Sequence, residues 1–255
     1  MYELALFTGC GGGVLGSMLS GYVPVGFVEY ESSRKKMLLS RQRDGIFPRC
    51  PIWDDVTTFR VDNPECRSYF EIMRRIKMQL MVSMGFPCQD ISAANPDGKG
   101  LDGKRSGLYE EGIRVIREIR PTRVLIENSP NLINKGLKRI LKELTSMGYD
   151  AKWGVIPATI AGANHKRCRL FIIANSNKKP RPQAIEIAST IRAQRQTWED
   201  ALCSIRGRKS TVSRALHESD IIRKNNDVPD RIHRAKAIGD GQVPGVVKFA
   251  HGILN

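Results

Sequence analysis

The sequence has no long apolar run and no closely spaced pair of cysteines. None of its segments approaches the roughly 20 consecutive apolar residues that a membrane-spanning helix requires, so we expect no membrane association. Its six cysteines are scattered without a Cys-x-x-Cys spacing, which argues against a structural zinc site and against a disulfide framework. The first residues also lack the basic, apolar and small-residue order of a signal peptide. We therefore expect a cytoplasmic protein without a bound metal.

Acidic residues are few for a chain of this length. The sequence has 26 Asp and Glu against 41 Lys and Arg, and its formal net charge is +15 at pH 7. Lys and Arg displace the counterions that condense on phosphates, so this excess suits a polyanionic partner such as a nucleic acid. Charge alone does not separate nucleic-acid-binding proteins from other basic proteins, and the function has to be inferred from the motifs.

The first two thirds of the 255-residue chain alternate between short apolar runs and helical patterns. The apolar runs are typical of strands buried on both faces of a sheet. We predict strands at 4–7, 25–29, 80–84, 124–126 and 170–174. Helices are predicted at 108–118 and 135–147, the second ending at Gly148 as a C-cap. Such alternation indicates an α/β protein with a doubly wound sheet.

After residue 174 the strand pattern fades, and Asn, Ser and Arg become common. Residues 175–234 carry 13 Lys and Arg against 7 Asp and Glu. We therefore divide the chain into a domain at 1–174, a small basic region at 175–234 and a C-terminal segment at 235–255. An amphipathic helix predicted at 246–254 is expected to pack back on the first domain.

A glycine-rich loop at 7–13 follows the first predicted strand. Glycines there allow a sharp turn and a close approach of the backbone to a ligand. Glu29 stands 20 positions after the first glycine of this loop, where a carboxylate suits ribose hydroxyls. The ring of Tyr30 suits stacking on adenine, and Asp55 suits the adenine amino group. The loop alone fits a nicotinamide dinucleotide, a flavin, S-adenosylmethionine or a purely structural turn.

Four polar residues near strand ends indicate a reaction centre. Cys88 follows the strand predicted at 80–84, and ligands of open α/β sheets bind outside the carboxyl ends of strands. A thiolate there is a strong nucleophile, although most cysteines are buried and inert. Glu127 follows another strand, and Arg167 and Arg169 precede the last one, where residues two apart share a face. A nucleophile, a proton-donating carboxyl group and two guanidinium groups suit the activation of a pyrimidine.

Five motifs occur in the order in which the DNA cytosine-5 methyltransferase family has them. They are Phe-Thr-Gly-Cys-Gly-Gly at 7–12, Gly-Phe-Pro-Cys-Gln at 85–89, Glu-Asn at 127–128, Arg-Cys-Arg at 167–169 and Gly-Asp-Gly-Gln-Val-Pro at 239–244. The chain thus resembles compact bacterial or phage-type members of that family. The resemblance implies a Rossmann-like fold for S-adenosylmethionine-dependent methyl transfer, with 175–234 as a small target-recognition lobe.

The resemblance also implies S-adenosyl-L-methionine as the cofactor. Glu29 is expected to hold its ribose, Tyr30 and Val56 to flank its adenine, and Asp55 to bond the adenine amino group. The full set of implied cofactor contacts is Phe7, Gly9, Cys10, Gly12, Glu29, Tyr30, Asp55, Val56, Pro87, Leu108, Asp240 and Gln242.

The remaining implied residues act on the nucleic acid. Cys88 is the expected nucleophile, Glu127 contacts the cytosine, and Arg167 and Arg169 support the base. DNA contacts are implied for Gln89, Ser92 and Arg105. The implied substrate is duplex DNA with a flipped-out cytosine, methylated through a covalent Cys88 adduct in a bacterial or phage-infected cell, close to the nucleoid.

We expect a monomer, with a cognate restriction endonuclease as a further partner in the same system. Two motif positions depart from the family: His165 stands where Gln is usual, and Asp240 where Asn is usual. Three alternatives stay open at this stage. They are an RNA cytosine methyltransferase on the same scaffold, a nicotinamide-dependent oxidoreductase, and a non-enzymatic DNA-binding protein with a degenerate methyltransferase domain.

Overall fold

A computed structural model of the protein describes residues 1–87, 107–177 and 241–254. Within these ranges seven strands form one sheet in the order β3-β2-β1-β4-β5-β7-β6. Strands β1 to β5 are parallel, and β7 runs antiparallel to both of its neighbours. The strands are β1 (Tyr2–Leu6), β2 (Val23–Val28), β3 (Ile52–Trp53), β4 (Leu80–Met84), β5 (Arg123–Asn128), β6 (Tyr149–Ile156) and β7 (Arg169–Ser176). This sheet confirms the predicted Rossmann-like α/β fold.

Helices cover both faces of the sheet. They are α1 (Gly12–Met18), α2 (Ser32–Arg43), α3 (Pro64–Arg75), α4 (Gly107–Ile119), α5 (Leu132–Lys135), α6 (Leu137–Ser146) and α7 (Pro244–Ile253). Short 3-10 turns lie at Lys77–Gln79 and Ala158–Ala161. None of the helices in the described ranges has the length and apolar character needed to cross a membrane.

The larger core lies between the sheet and helices α3, α4 and α6. It joins alternate strand residues such as Leu4, Val82 and Ile126 to helix residues such as Phe70 and Ile116. All of these side chains are buried. Because successive strand residues point to opposite faces, the residues between them supply a second core on the other side of the sheet.

The second face of the sheet is covered by α1, α2 and α7. Helix α7 buries Val246, Val247 and Phe249 against this face, and each such side chain contributes about 1.5–3 kcal/mol when fully buried. Gly16 of α1 lets the two helices approach closely, because a Cβ there would lie 2.6 Å from Cβ of Val247. The C-terminal helix is therefore part of the same folded unit as the first strand.

Five strands and the helices near 108–118 and 246–254 confirm the sequence predictions. The helix predicted at 135–147 is two helices, α5 and α6, and Gly148 follows the second with φ +81°. The sequence patterns did not predict β3, β6, α2 or α3. The division at residues 174 and 234 stays a prediction, because 178–240 lie outside the described residues.

Candidate active site

The predicted site residues gather at one edge of the sheet. Strands β1, β2, β4 and β5 are parallel, so the segments that follow them emerge on the same side. Strand β7 runs the other way and begins at that edge with Arg169. Helices α1 and α4 lie on opposite faces of the sheet, so β1 and β4 meet at a topological switch point, where open α/β sheets bind their ligands.

The loop after β1 is held in an unusual backbone conformation. Phe7, Gly9 and Gly11 have φ values of 54°, 60° and 85°. Phe7 is the only non-glycine residue of the loop in the left-handed region, which side chains rarely adopt. The hydroxyl of Thr8 donates to the carbonyl oxygen of Ala5 at 2.9 Å, and its amide donates to Val28 at 3.1 Å. These bonds fix the loop to the ends of β1 and β2.

Glu29 connects this loop to β2. Its side chain is buried, with 5% of its surface exposed. One carboxylate oxygen accepts the amide of Gly9 at 2.7 Å, and the other accepts the amide of Glu31 at 3.0 Å. Each carboxylate oxygen has two lone pairs, so Glu29 keeps capacity for further donors.

The residues predicted to surround the adenine are also near this end of the sheet. The amide of Glu29 bonds to the carbonyl oxygen of Trp53 at 3.0 Å, which brings the segment 54–56 beside β2. In that segment Asp55 accepts the amide of Thr57 at 2.8 Å and Val56 is buried. Tyr30 is 76% exposed.

Three further predicted cofactor residues have different environments. Leu108 packs against the larger core at the start of α4, whereas Pro87 is exposed. Cys10 is half-buried.

Glu127 lies near the end of β5, and 8% of its surface is exposed. One of its oxygens lies 3.1 Å from Nε of Arg169, and the other accepts the amide of Gln242 at 3.1 Å. Burial raises the pKa of Glu127 above its ordinary value, while Arg169, Gln242 and Arg167 act in the opposite direction. The net direction is upward, because desolvation of a carboxylate outweighs these partners.

The two arginines reach the site in different ways. We predicted that Arg167 and Arg169 share a strand face, but β7 begins only at Arg169. Arg167 lies in the preceding turn with φ +26°, and its guanidinium group donates to the carbonyl oxygen of Gly241 at 2.7 Å. The alternation argument is therefore wrong for Arg167, although its charge still acts on Glu127.

Asn128 is a residue to which the motif comparison gave no role. It is 3% exposed, and its side-chain amide donates to the carbonyl oxygen of Phe86 at 3.1 Å. Its own oxygen accepts the amide of Ser129 at 2.8 Å. The Glu-Asn pair in the sequence was the available indication, because a polar residue that ends a buried strand needs nearby partners.

Gln242 lies where the C-terminal segment meets both motif loops. Side chains added at Gly12 or Gly13 would overlap the backbone carbonyl oxygen or the amide oxygen of Gln242. A Cβ at Gly85 would lie 2.7 Å from its amide nitrogen. Two of the loop glycines therefore accommodate Gln242, a packing role that the sequence did not reveal.

Five predicted site residues lie outside the described residues: Cys88, Gln89, Ser92, Arg105 and Asp240.

The sheet order and this edge are those of a Rossmann-like methyltransferase fold. The sequence model of the C-5 cytosine-specific DNA methylase family matches residues 1–242. The chain therefore belongs to that family.

Curated relatives agree with this assignment. Type II methyltransferase M.CviJI of Paramecium bursaria Chlorella virus IL3A is 32% identical over 77% of this chain and 48% of its own length. Type II methyltransferase M2.BsuMI of Bacillus subtilis is 30% identical over 71% of this chain and 43% of its own length. The chain thus spans about half the length of these curated relatives.

The solved structure of S. pombe Dnmt2 methyltransferase shares the fold. Its TM-score is 0.54 at 17% identity, over 71% of this chain and 53% of the other. At that level of identity the likeness concerns the fold alone.

Proposed function

We propose that this chain is a DNA (cytosine-5) methyltransferase, which moves a methyl group from S-adenosylmethionine to C5 of a flipped-out cytosine. The arrangement around Glu127 carries the proposal. This buried carboxyl group pairs with Arg169, and the adjoining Asn128 holds the loop that leads to Cys88. Membership of the C-5 cytosine-specific DNA methylase family supports it.

The described residues fit S-adenosylmethionine as the cofactor. Glu29 keeps acceptor capacity for ribose hydroxyls beside the loop at 7–13. The exposed ring of Tyr30 is available for stacking on adenine. Apart from Gly9 and its two chain neighbours, no atom of the described residues lies within 4 Å of the position that a Gly9 Cβ would take, which leaves space for a ligand beside this part of the backbone. When bound, the cofactor supplies the electrophilic methyl group.

The residues of the chain then activate the base. Carbon C5 of cytosine is too weakly nucleophilic to take a methyl group unaided, so the Cys88 thiolate attacks C6 and forms an S–C6 bond. The displaced electron pair enriches C5, while Glu127 donates its proton toward N3 and so stabilises the added electron density. The raised pKa of Glu127 supports this role, because a carboxyl group that keeps its proton can donate it.

Completion of the reaction regenerates the aromatic base. Carbon C5 would bond to the methyl group that the cofactor supplies, while the sulfur–methyl bond breaks and its electron pair stays on sulfur, and a water-derived base would remove the C5 proton. The electron pair of that C–H bond re-forms the C5–C6 double bond and expels the Cys88 thiolate. The proton shared with N3 returns to Glu127. Arg169 acts throughout by holding the Glu127 carboxyl group beside the base.

The target atom cannot be reached inside a stacked duplex, so the base has to be flipped out, at a cost of about a few kcal/mol. We propose that the basic region 175–234 contacts the phosphates and reads the target sequence. Gln89, Ser92 and Arg105 are proposed to lie near the flipped base. The relatives named above are type II methyltransferases. We propose that this chain is likewise the partner of a cognate restriction endonuclease, and that it acts as a monomer.

The decisive experiment follows labelled methyl groups from S-adenosylmethionine into mixed-sequence duplex DNA, with RNA assayed in parallel. We expect label in 5-methylcytosine of DNA, and its loss in Cys88→Ser with cofactor binding retained. Cys50→Ser is the matched control, because Cys50 lies beside α2 and bonds to Gln42. Label in RNA alone would transfer the proposal to an RNA substrate. Unchanged transfer by Cys88→Ser would overturn the mechanism.

A further inference from the structure

The backbone on both sides of Gln242 is anchored. Arg167 donates to the carbonyl oxygen of Gly241 at 2.7 Å. On the other side, the carbonyl oxygen of Val243 accepts the amide of Val246 at 3.0 Å as α7 begins. Gln242 is thus held between a side-chain bond and a helix start.

The side chain of Gln242 is confined as well. It occupies the space that side chains would take at Gly13 and Gly85, and its backbone carbonyl oxygen fills the corresponding space at Gly12. Close packing of this kind leaves a long side chain few rotamers. The entropy that a free glutamine would lose in holding one orientation has therefore been lost on folding.

The partner of this confined amide is Glu127. The amide nitrogen donates to one carboxyl oxygen at 3.1 Å, across 115 positions of sequence, while Arg169 takes the other oxygen. With one fixed partner on each oxygen, the plane of the carboxyl group is set. Gly12 and Gly13 belong to the loop predicted to bind the cofactor, and Gly85 begins the motif that contains Cys88. Gln242 therefore contacts three parts of the proposed site at once.

We propose that Gln242 is a positioning residue that sets the orientation of the Glu127 carboxyl group for the proposed methyl transfer. The family resemblance predicted a cofactor contact for this residue, but within the described residues its amide donates to Glu127. The inference rests on the proposed function only in that Glu127 acts on the base. Among the residues that the structure describes, the charged groups that act on Glu127 are Arg167 and Arg169, and neither is altered in the test.

The first measurement is independent of activity. The protein is labelled with ¹³C at glutamate carboxyl carbons, and the Glu127 signal is identified by its absence in Glu127→Gln. In Gln242→Met, which keeps an unbranched chain of similar length but lacks the donor, we expect the Glu127 titration to move to higher pH. The donor favours the carboxylate, so its loss favours the protonated form. Val243→Ala alters the packing of the same segment and should leave the titration in place.

The second measurement separates positioning from cofactor contact. Loss of a hydrogen bond to an ionisable group predicts about a 10-fold fall in kcat for Gln242→Met, with KM for S-adenosylmethionine unchanged. If Gln242→Met does not fold, Gln242→Asn serves instead, because its amide is one methylene too short to reach Glu127. An unchanged Glu127 titration, or a rise in KM without a fall in kcat, would overturn the inference. A wild-type protein that transfers no methyl group would contradict the proposed function, and the titration would still decide the role of Gln242.

Discussion

The side-chain amide of Asn128 donates to the backbone carbonyl oxygen of Phe86 at 3.1 Å. This bond joins the end of β5 to the segment that follows β4, two residues before Cys88. Asn128 is buried, and its own oxygen is occupied by the amide of Ser129. The position of the loop that carries the proposed nucleophile therefore depends on the residue next to the proposed proton donor.

Replacing Asn128 with Ala should lower both kcat and the free energy of unfolding, and the fall in kcat should exceed what the loss of stability alone would cause. The Phe86 carbonyl oxygen would lose its partner, with a cost to folding of about 1–3 kcal/mol. A misplaced loop should reduce methyl transfer by about 100-fold, because a displacement near 1 Å is that costly to an aligned reaction. Measurements of kcat and of urea unfolding would test both effects.

Asn175→Ala provides the matched control for that variant. Asn175 accepts the guanidinium group of Arg123 at 2.7 Å, at the opposite edge of the sheet. Its loss should reduce the free energy of unfolding by a similar amount and leave kcat near the wild-type value. Equal losses of kcat in the two variants would show that Asn128 acts only through stability.

The Glu127→Gln variant tests the proton-donating role. Glutamine keeps the shape of the side chain but cannot give up a proton, so kcat should fall by about 100- to 10,000-fold. Binding of S-adenosylmethionine should persist, because the substitution keeps the shape of the side chain and leaves Glu29, the proposed ribose contact, unchanged. The wild-type rate should also decline as the pH rises through the pKa of this carboxyl group, which burial raises above its ordinary value.

That decline should be absent from the residual activity of Glu127→Gln. Glu143→Gln is a suitable control, since Glu143 is a half-buried residue of α6 that accepts the Tyr109 hydroxyl at 3.0 Å and pairs with Arg139. It should retain the wild-type rate and pH profile. An identical decline with pH in Glu127→Gln would assign the decline to another group.

The elements that the sequence predicted are those with continuous apolar runs. Strand β5 is buried at all six positions, and its apolar centre is recognisable in the sequence. Strand β6 was missed because it is an edge strand with exposed or half-buried residues between its two buried ends. Helix α2 was missed because it buries only Leu38 and so shows almost no apolar face. Helix α3 was missed although the sequence contains a signal for its start, because Asn63 caps the helix and Pro64 is its first residue.

The site was predictable in composition but not in its contacts. Strand ends place Glu29, Glu127 and Arg169 at one edge, because the parallel strands β2 and β5 end there and the antiparallel strand β7 begins there. The partnership of Gln242 with Glu127 crosses 115 residues and depends on glycines packing against the C-terminal segment. No local pattern reports a contact of that kind.

Gly16→Ala should destabilise the protein through the contact between α1 and α7. The new Cβ would lie 2.5 Å from the carbonyl oxygen of Pro244 and 2.6 Å from Cβ of Val247. Neither neighbour is the flexible end of a side chain, so the helices would have to separate. Overpacking of this type costs about 1–3 kcal/mol, which urea unfolding would detect.

Gly154→Ala tests whether any added methyl group has this effect. A Cβ at Gly154 would meet only Cδ2 of Leu254 at 3.7 Å, an ordinary contact. Its free energy of unfolding should stay within about 0.5 kcal/mol of wild type. A loss equal to that of Gly16→Ala would refute close packing as the cause.

Glu3→Gln tests a buried carboxyl group on the α1 and α7 face of the sheet. Glu3 is fully buried, and one of its oxygens accepts the hydroxyls of Ser17 and Ser83 at 3.0 and 2.6 Å. Its other oxygen has no hydrogen-bond partner within the described residues. Burial raises the pKa of Glu3 from 4.5 to about 7, against the effect of the two hydroxyls.

The sign of the pH dependence follows from this shift. Between pH 4.5 and 7 the folded protein keeps a proton that the unfolded chain has lost, so the wild type loses stability as the pH rises. The loss amounts to about 3 kcal/mol when complete. The glutamine side chain of the variant does not titrate, so the stability of the variant relative to wild type should increase from pH 5 to pH 8. Burial lowers the pKa of His251 from 6.5 to about 3. Between these two values His251 makes the folded protein more stable as the pH rises, which opposes the effect of Glu3.

Comparing the two proteins at each pH isolates the contribution of Glu3. His251 lies near the same group, with its Nε2 atom 3.4 Å from the Ser17 hydroxyl, and it is present in both proteins. Its effect largely cancels in the difference between their free energies of unfolding. Urea unfolding at pH 5, 6.5 and 8 gives that difference directly. A difference that does not change with pH would mean that Glu3 ionises in the folded protein as readily as in the unfolded chain, and burial would then not govern its titration.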